Sequence, residues 1–427
     1  MANTKSIVCL VTDRMNLALM RPYGCAAGDQ SGLDRLVLES VLFDQYYASS
    51  SDLSLLYESF WRGRQPGEPA ADPVPPSLPR RMAALGLKSV LLTDEPLIAK
   101  SAMGQEFDAV ALLTIPSEAE PAETLEATHL YNCFETAAQI LHEEEDPIFL
   151  WCHFKGFGGP WDYPLTLRNE QRQDEDDPLP YPGVTAPFYP ESQTLPAGRG
   201  ARRRYEFESP EFADNVLAVS EAMQAGMTVW DSSLEGFCDF LKEEGRLDTT
   251  LLVVAGARGF PLGEHGRTGC PNESQTDENI PPVLFYNEDY HMPLMFRFPH
   301  ARFAAARTDA LTSSGDLYAT LLDYIVRDDF ATHEGESPLP RSPVATTSSS
   351  LLPLVSEEVE QIHDRLELRA GPASDTRRAF VMPDSLLIVR PESPPEFFIL
   401  PDDRFNVNDV ADRCRDEVES LLKSIEK

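Results

Sequence analysis

Three stretches of this 427-residue chain are apolar almost without a break: SIVCLV at 6–11, PIFLWCHF at 147–154 and TTLLVVAG at 249–256. A strand with one wet face alternates apolar and polar residues, so a short unbroken apolar run predicts a strand buried on both faces, as parallel sheets provide. Segments with helical spacing of apolar residues lie around them, at 33–41, 124–145 and 208–245. VLFDQYY from 41, the second half of 81–96 after a helix end and a glycine, and DAVALLT at 108–114 add further strands. This β-α-β rhythm predicts an α/β fold with a mostly parallel sheet covered by helices on both faces.

Two segments break the rhythm. Residues 164–207, with RQDEDDPLPYPGV and AGRGARRRYEF, carry no period and are expected to form a long surface loop. Residues 331–350, ATHEGESPLPRSPVATTSSS, have linker composition. Past them the spacing predicts a helix at 355–367, three short strands (AFVMP, LLIVRP, FFILP) and a final helix at 408–425. The expected organisation is therefore a main domain over 1–330, a linker over 331–350 and a small α+β C-terminal subdomain over 351–427.

A formal net charge of −34 disfavours nucleic acid and anionic membrane as partners, since both are held by basic patches. No apolar run approaches the roughly 18 residues that span a bilayer. The apolar run at the N-terminus, Ile7 to Val11, stops at Asp13 and lacks a small-residue cleavage site, so it reads as a first strand rather than a secretion signal. With seven cysteines, an odd number, a cytoplasmic location is expected. Neither a C-x-x-C pair nor a Cys/His motif suggests zinc, and no cofactor is expected.

Chemistry concentrates in a few segments: IVCLVTDR, SGLDRLVLESVLFDQYY, the stretch FDQYYASSSDLSLLYESFWRGRQP at 43–66, PIFLWCHFKGFGGPWDYP, TTLLVVAGARGFPLGEHG and LPDDRFNVNDVADRC. Together they resemble the sulfatases of the alkaline-phosphatase superfamily over nearly the whole chain outside the 164–207 loop and the linker. In that family an opening strand ends in two metal-binding aspartates. A C-x-P-S-R or S-x-P-S-R turn carries the nucleophile, and a T-G-R-x-P segment closes the following helix. Phe43, Tyr47, Ser50, Gly63, Arg64 and Pro66 fall on this frame.

Mapped through the resemblance, the reactive positions are mostly replaced. The nucleophile position is Leu53, the proline Leu55 and the arginine Tyr57. The first metal aspartate is kept as Asp13, and the second is Arg14. A later metal aspartate is Ala257, with Arg258 beside it. The family's G-K-x-x-H corresponds to Thr93-Asp94-Glu95-Pro96, and the histidine before G-P-W to Gly158. Glu264 and His265 of the G-E-H-G segment remain.

Leucine cannot be activated as a nucleophile. Ser54, one residue on, is turned about 100° around a helix and so points away from the pocket. A hard dication takes about six oxygen ligands, whereas these positions offer one carboxylate and two guanidiniums. The expectation is a catalytically inactive, metal-free pseudosulfatase with no catalytic residues of its own. Two alternatives are an ester hydrolase with an atypical residue set, and a module in which Arg14 and Arg258 hold a small anion. The partner classes expected are a small anion or another sulfatase-like chain. Asp13, at the end of a buried strand, is expected to pair with Arg258 or, failing that, Arg14.

Overall fold

The computed structural model describes residues 5–68, 74–116, 119–170, 183–187, 210–269, 285–327, 348–370, 377–391 and 393–425. Its centre is an eight-stranded sheet. In chain order the strands are β1 (Ser6–Thr12), β2 (Val41–Tyr47), β3 (Lys88–Thr93), β4 (Ala109–Leu112), β5 (Ile148–Phe154), β6 (Thr250–Gly256), β7 (His291–Arg297) and β8 (Ala306–Ser313). Across the sheet the order is β4-β3-β5-β1-β6-β7-β2-β8. Pairing is parallel throughout except at β7, which runs against both β6 and β2.

The apolar runs are buried because both faces are covered. Ile7, Cys9 and Val11 point into one core layer, and Val8 and Leu10 into the other. The helices Ser31–Leu38, His129–Glu143 and Pro210–Glu243 cover the Val8 side. Leu53–Arg62, Leu78–Ala84, Asp316–Val326 and Leu352–Val355 cover the Ile7 side. One helix start is capped from outside its own segment. Gln30 makes no side-chain cap to Ser31–Leu38, and Asp231 of the long helix accepts from Gly32 N–H at 3.1 Å and Leu33 N–H at 2.6 Å instead.

A second, antiparallel sheet of order β12-β11-β10-β9 is built from β9 (Leu366–Arg369), β10 (Arg378–Met382), β11 (Ser385–Val389) and β12 (Glu396–Ile399). Alternation splits its side chains. Ala379, Val381, Leu386 and Ile388 join the main core, while Phe380, Met382, Leu387 and Phe397 pack beneath the terminal helix Arg415–Ile425.

Several expectations change. The segment expected to be a loop from 164 begins with a helix, Leu165–Glu170, held by buried Arg168, which donates to the carbonyls of Trp161 and Gly183. Residues 171–182 and 188–207 of that segment, and 331–347 of the expected linker, lie outside the described residues. The helix expected at 355–367 is a single turn, Leu352–Val355, followed by Glu357 at φ +57° and a run of turns. An acidic stretch with a left-handed residue does not propagate a helix. Leu366 and Leu368 of that span belong instead to β9, a fourth strand. The last helix begins at Arg415 rather than 408, because Asp409 is used to accept from Phe397 and Ala411 N–H. β7, β8 and the Asp316–Val326 helix are additions that the sequence reading did not contain.

Candidate functional site

The C-terminal ends of β1, β5 and β6 meet where a doubly covered parallel sheet places its site. Their backbones are tied there: Asp13 N–H donates to Phe154 O at 2.9 Å, Ala257 N–H to Thr12 O at 2.9 Å, and Met15 N–H to Arg258 O at 3.0 Å. Asp13 and Arg258 leave adjacent parallel strands one and two residues past the register pair Thr12–Gly256. Their side chains therefore converge. Arg258 Nε donates to Asp13 Oδ1 at 3.0 Å, Nη2 donates to Oδ2, and Nη1 reaches Ser51 O at 3.2 Å.

This is the pairing expected from the sequence, in bidentate form, with 4–5% of each side chain exposed. Arg14 stands second, its Nε 4.0 Å from Asp13 Oδ2. Burial raises the Asp13 carboxyl, but Arg258 and Arg14 more than offset it and hold the group well below the ordinary carboxylate range. Arg14 sits at φ +60°, a left-handed conformation uncommon for a non-glycine residue.

Leu53 opens the helix Leu53–Arg62. Asp52 Oδ1 caps that helix by accepting from Leu55 N–H at 2.9 Å, and Gly63 ends it at φ +65°. Leu53 is buried in the core and Ser54 is exposed, so neither position offers a hydroxyl to the site. Tyr57, at the arginine position, is buried, and its hydroxyl lies 2.7 Å from His153 Nδ1 and accepts from Trp151 Nε1 at 3.3 Å. Burial pushes the phenol up and the imidazole down, which keeps both neutral.

His153 was missed in the sequence because it is embedded in the apolar run of β5. The signal was there: it is the one imidazole in PIFLWCHF.

The other mapped positions are placed as follows. Ala257 is fully buried, and a Cβ at Gly158 would lie 3.4 Å from Arg14 Cγ. Asp94 turns toward the helix at 129: its Oδ1 accepts from Lys155 N–H at 2.7 Å and its Oδ2 lies 3.0 Å from His129 Nε2. His265, at φ +51°, is buried in a separate network. Its Nδ1 meets Glu288 Oε1 at 2.7 Å and its Nε2 meets Asn406 O at 2.9 Å. Arg267 donates to Glu288 Oε1 at 3.0 Å and to Asp289 Oδ2 at 2.6 Å, closing the network. Glu264 accepts from Leu262 N–H, and burial followed by Glu288 raises its carboxyl. Thus Asp13, Arg14 and Arg258 come together with Tyr57 nearby, whereas His265 serves the contact to the C-terminal segment and Glu264 holds its own loop.

A calcium-type dication does not fit the Asp13 position. Both carboxylate oxygens are engaged by Arg258, a second guanidinium lies beside them, and Ala257 has no side-chain ligand. Open space lies elsewhere: a cavity of about 600 Å³ between the main sheet and the C-terminal segment is lined by Tyr23, Asp44, Tyr47, His291, Arg307 and Arg404, among others.

A parallel sheet with helices on both faces, a site at its strand ends and a small antiparallel sheet beyond define an alkaline-phosphatase-like protein. The chain belongs to the sulfatase family, whose model, described as Sulfatase, matches residues 5–325. It is similar to an N-acetylglucosamine-6-O-sulfatase of Bacteroides thetaiotaomicron, at 26% identity over 170 residues covering 38% of this chain and 28% of that protein. Among solved structures it resembles the phosphonate monoester hydrolase of Agrobacterium radiobacter, with a TM-score of 0.70, 16% identity and coverage of 99% and 94% of the two chains. It also resembles a protein solved with its substrate D-glucosamine-2-N,6-O-disulfate, with a TM-score of 0.70, 17% identity and coverage of 99% and 97%. Identities this low show a shared fold. Among the described residues no helix is long and apolar enough to cross a membrane.

Proposed function

We propose that this sulfatase-family chain is a non-hydrolytic member, in which Arg258 stands where the cation would and the protein acts by binding. The observation that carries the reading is the bidentate salt bridge that occupies both oxygens of Asp13. Buried Leu53 at the nucleophile position supports it, since covalent catalysis needs a thiol, hydroxyl or comparable group. Tyr57 supports it too, because its hydroxyl is taken up by His153 and Trp151.

With three of its donors on Asp13 and Ser51, Arg258 is directed inward. That favours a metal-free structural pair over the anion-clamp alternative. The occupant of the reading is a small molecule in the cavity at Arg307 and Arg404 or another sulfatase-like chain. We include a cytoplasmic location in it, supported by six free cysteines among the described residues.

The relatives name the esters to test. The purified chain should be assayed against an aryl sulfate, an aryl phosphate, an aryl phosphonate monoester and N-acetylglucosamine-6-sulfate, with and without divalent cations. The expected result is no turnover above buffer in any arm. Turnover that co-purifies with the chain would establish the atypical hydrolase instead, and saturable sulfate binding lost in Arg258→Met would establish the anion module.

A further inference from the structure

We propose that Asp94, His129 and Cys133 form a binding site for a transition-metal dication of the zinc class, with one coordination position left open. His129 and Cys133 are spaced i, i+4 in the first turns of the helix His129–Glu143, so their side chains lie on one face. Asp94 approaches from the loop after β3. The three ligand atoms all lie within 4.8 Å of one another, with His129 Nε2 3.0 Å from Asp94 Oδ2 and 3.7 Å from Cys133 Sγ. A tetrahedral zinc with the usual bond lengths separates its nitrogen, oxygen and sulfur donors by roughly 3.3–3.6 Å. The two distances from His129 Nε2 lie within a few tenths of an ångström of that geometry, and the Asp94 and Cys133 ligand atoms, no more than 4.8 Å apart, close on the ion by side-chain rotation.

The donor set selects the ion. One sulfur, one imidazole and one carboxylate suit zinc and its neighbours, and suit calcium and magnesium poorly. Charge also closes: a dication balances one thiolate and one carboxylate, with the imidazole neutral and its proton on Nδ1. Binding releases the thiol proton to solvent.

The ligands are also held from behind. Lys155 N–H donates to Asp94 Oδ1 at 2.7 Å, leaving Oδ2 for the site, and Asp162 Oδ2 accepts from His129 N–H at 2.8 Å, fixing the helix start. Outer contacts of this kind orient metal ligands. The Asp94 side chain is 0% exposed and that of His129 is 11% exposed, so His129 is the ligand nearest solvent. Three protein ligands with an open fourth position is the arrangement of zinc sites that bind water or a further ligand. The site is independent of the Asp13–Arg258 pair and shares no residue with it.

The test is titration of the full-length, reduced protein with cobalt(II), followed by displacement with zinc(II). The expected result is one equivalent bound at micromolar protein, with a thiolate-to-cobalt charge-transfer band in the near ultraviolet that zinc abolishes. Cys133→Ser should remove the band, His129→Gln should weaken binding about tenfold or more, and Cys25→Ser, at a half-buried thiol elsewhere, should change neither. Absence of the band, or its survival in Cys133→Ser, would overturn the proposal and reduce the Asp94–His129 contact to a bond anchoring the helix. Should Cys133→Ser fail to give a folded circular-dichroism spectrum, His129→Gln decides, and unchanged cobalt affinity in that variant overturns the proposal equally.

Discussion

Arg258 and Asp13 face each other from adjacent parallel strands, with Nε on Oδ1 at 3.0 Å and Nη2 on Oδ2. Two fork-to-fork hydrogen bonds satisfy the carboxylate as completely as one partner can, and the third guanidinium nitrogen is taken by Ser51 O. Such a pair is costly to break from one side and cheap to replace whole, because a single substitution strands a buried charge. Arg258→Met should therefore lower unfolding free energy by about 3 kcal/mol, the low end of the 3–5 kcal/mol range, since Arg14 remains 4.0 Å away to share the charge. The double variant Asp13→Leu/Arg258→Met should lose much less than the sum of the single variants. Urea unfolding of the wild type and the three variants gives the coupling, and additive losses would show that the two groups do not depend on each other.

Restoring a nucleophile alone should do nothing. Leu53→Cys places a thiol at the start of a capped helix, beside a site whose carboxylate is already engaged and whose arginine position is Tyr57. Intact-mass measurement should show the unmodified cysteine, and an aryl-sulfate assay should show no turnover. Hydrolysis by this variant would mean that the Asp13, Arg14 and Arg258 pocket can bind and polarise a sulfate ester.

Acid should reveal His153. Burial lowers its imidazole pKa below the ordinary value, so between that folded value and the unfolded value near about 6.5 the unfolded chain binds a proton that the folded chain does not. Its contribution to stability is present above about pH 6.5 and is lost as pH falls. His363 works in the opposite sense: although burial lowers it, the Asp316 carboxylate raises it further, and its stabilisation fades as pH rises. Comparing variants isolates the first effect. Between about pH 7.5 and about pH 5.5 the wild type should lose more melting temperature than His153→Gln does. Parallel curves for the two proteins would contradict the assignment.

The cross-chain cap at Asp231 gives a local test. Its carboxylate serves Gly32 and Leu33 N–H while burial raises its pKa to about 6. Asp231→Ala leaves two helix-terminal donors unsatisfied and should cost about 1–2 kcal/mol, measured by chemical denaturation near neutral pH. A neutral effect would mean that water replaces the cap without loss.

The Asp13–Arg258 pair was legible in the sequence because two unbroken apolar runs, ending at Val11 and Gly256, fixed both residues at the same end of one sheet. His153 was not, since a lone polar residue in an apolar run has no period to announce it. The Asp94, His129 and Cys133 cluster was hidden for another reason. Its helical i, i+4 half is visible as H-x-x-x-C, but the third ligand comes from a different strand's loop. β7, HMPLMFR, carries Pro293, which argues against a strand inside a sheet, and the early part of β8 alternates half-buried and exposed residues. The helix expected at 355–367 failed because apolar spacing there is shared by two short elements, the turn Leu352–Val355 and β9.

Calcium titration of the purified wild-type chain, read by calorimetry and by melting temperature, tests most directly whether Arg258 has taken the place of the cation. A ligand that binds the folded state stabilises it by mass action, so a competent site must show both heat and a rise in melting temperature. The account predicts neither saturable heat nor any shift. Stoichiometric calcium binding accompanied by a rise in melting temperature would contradict it.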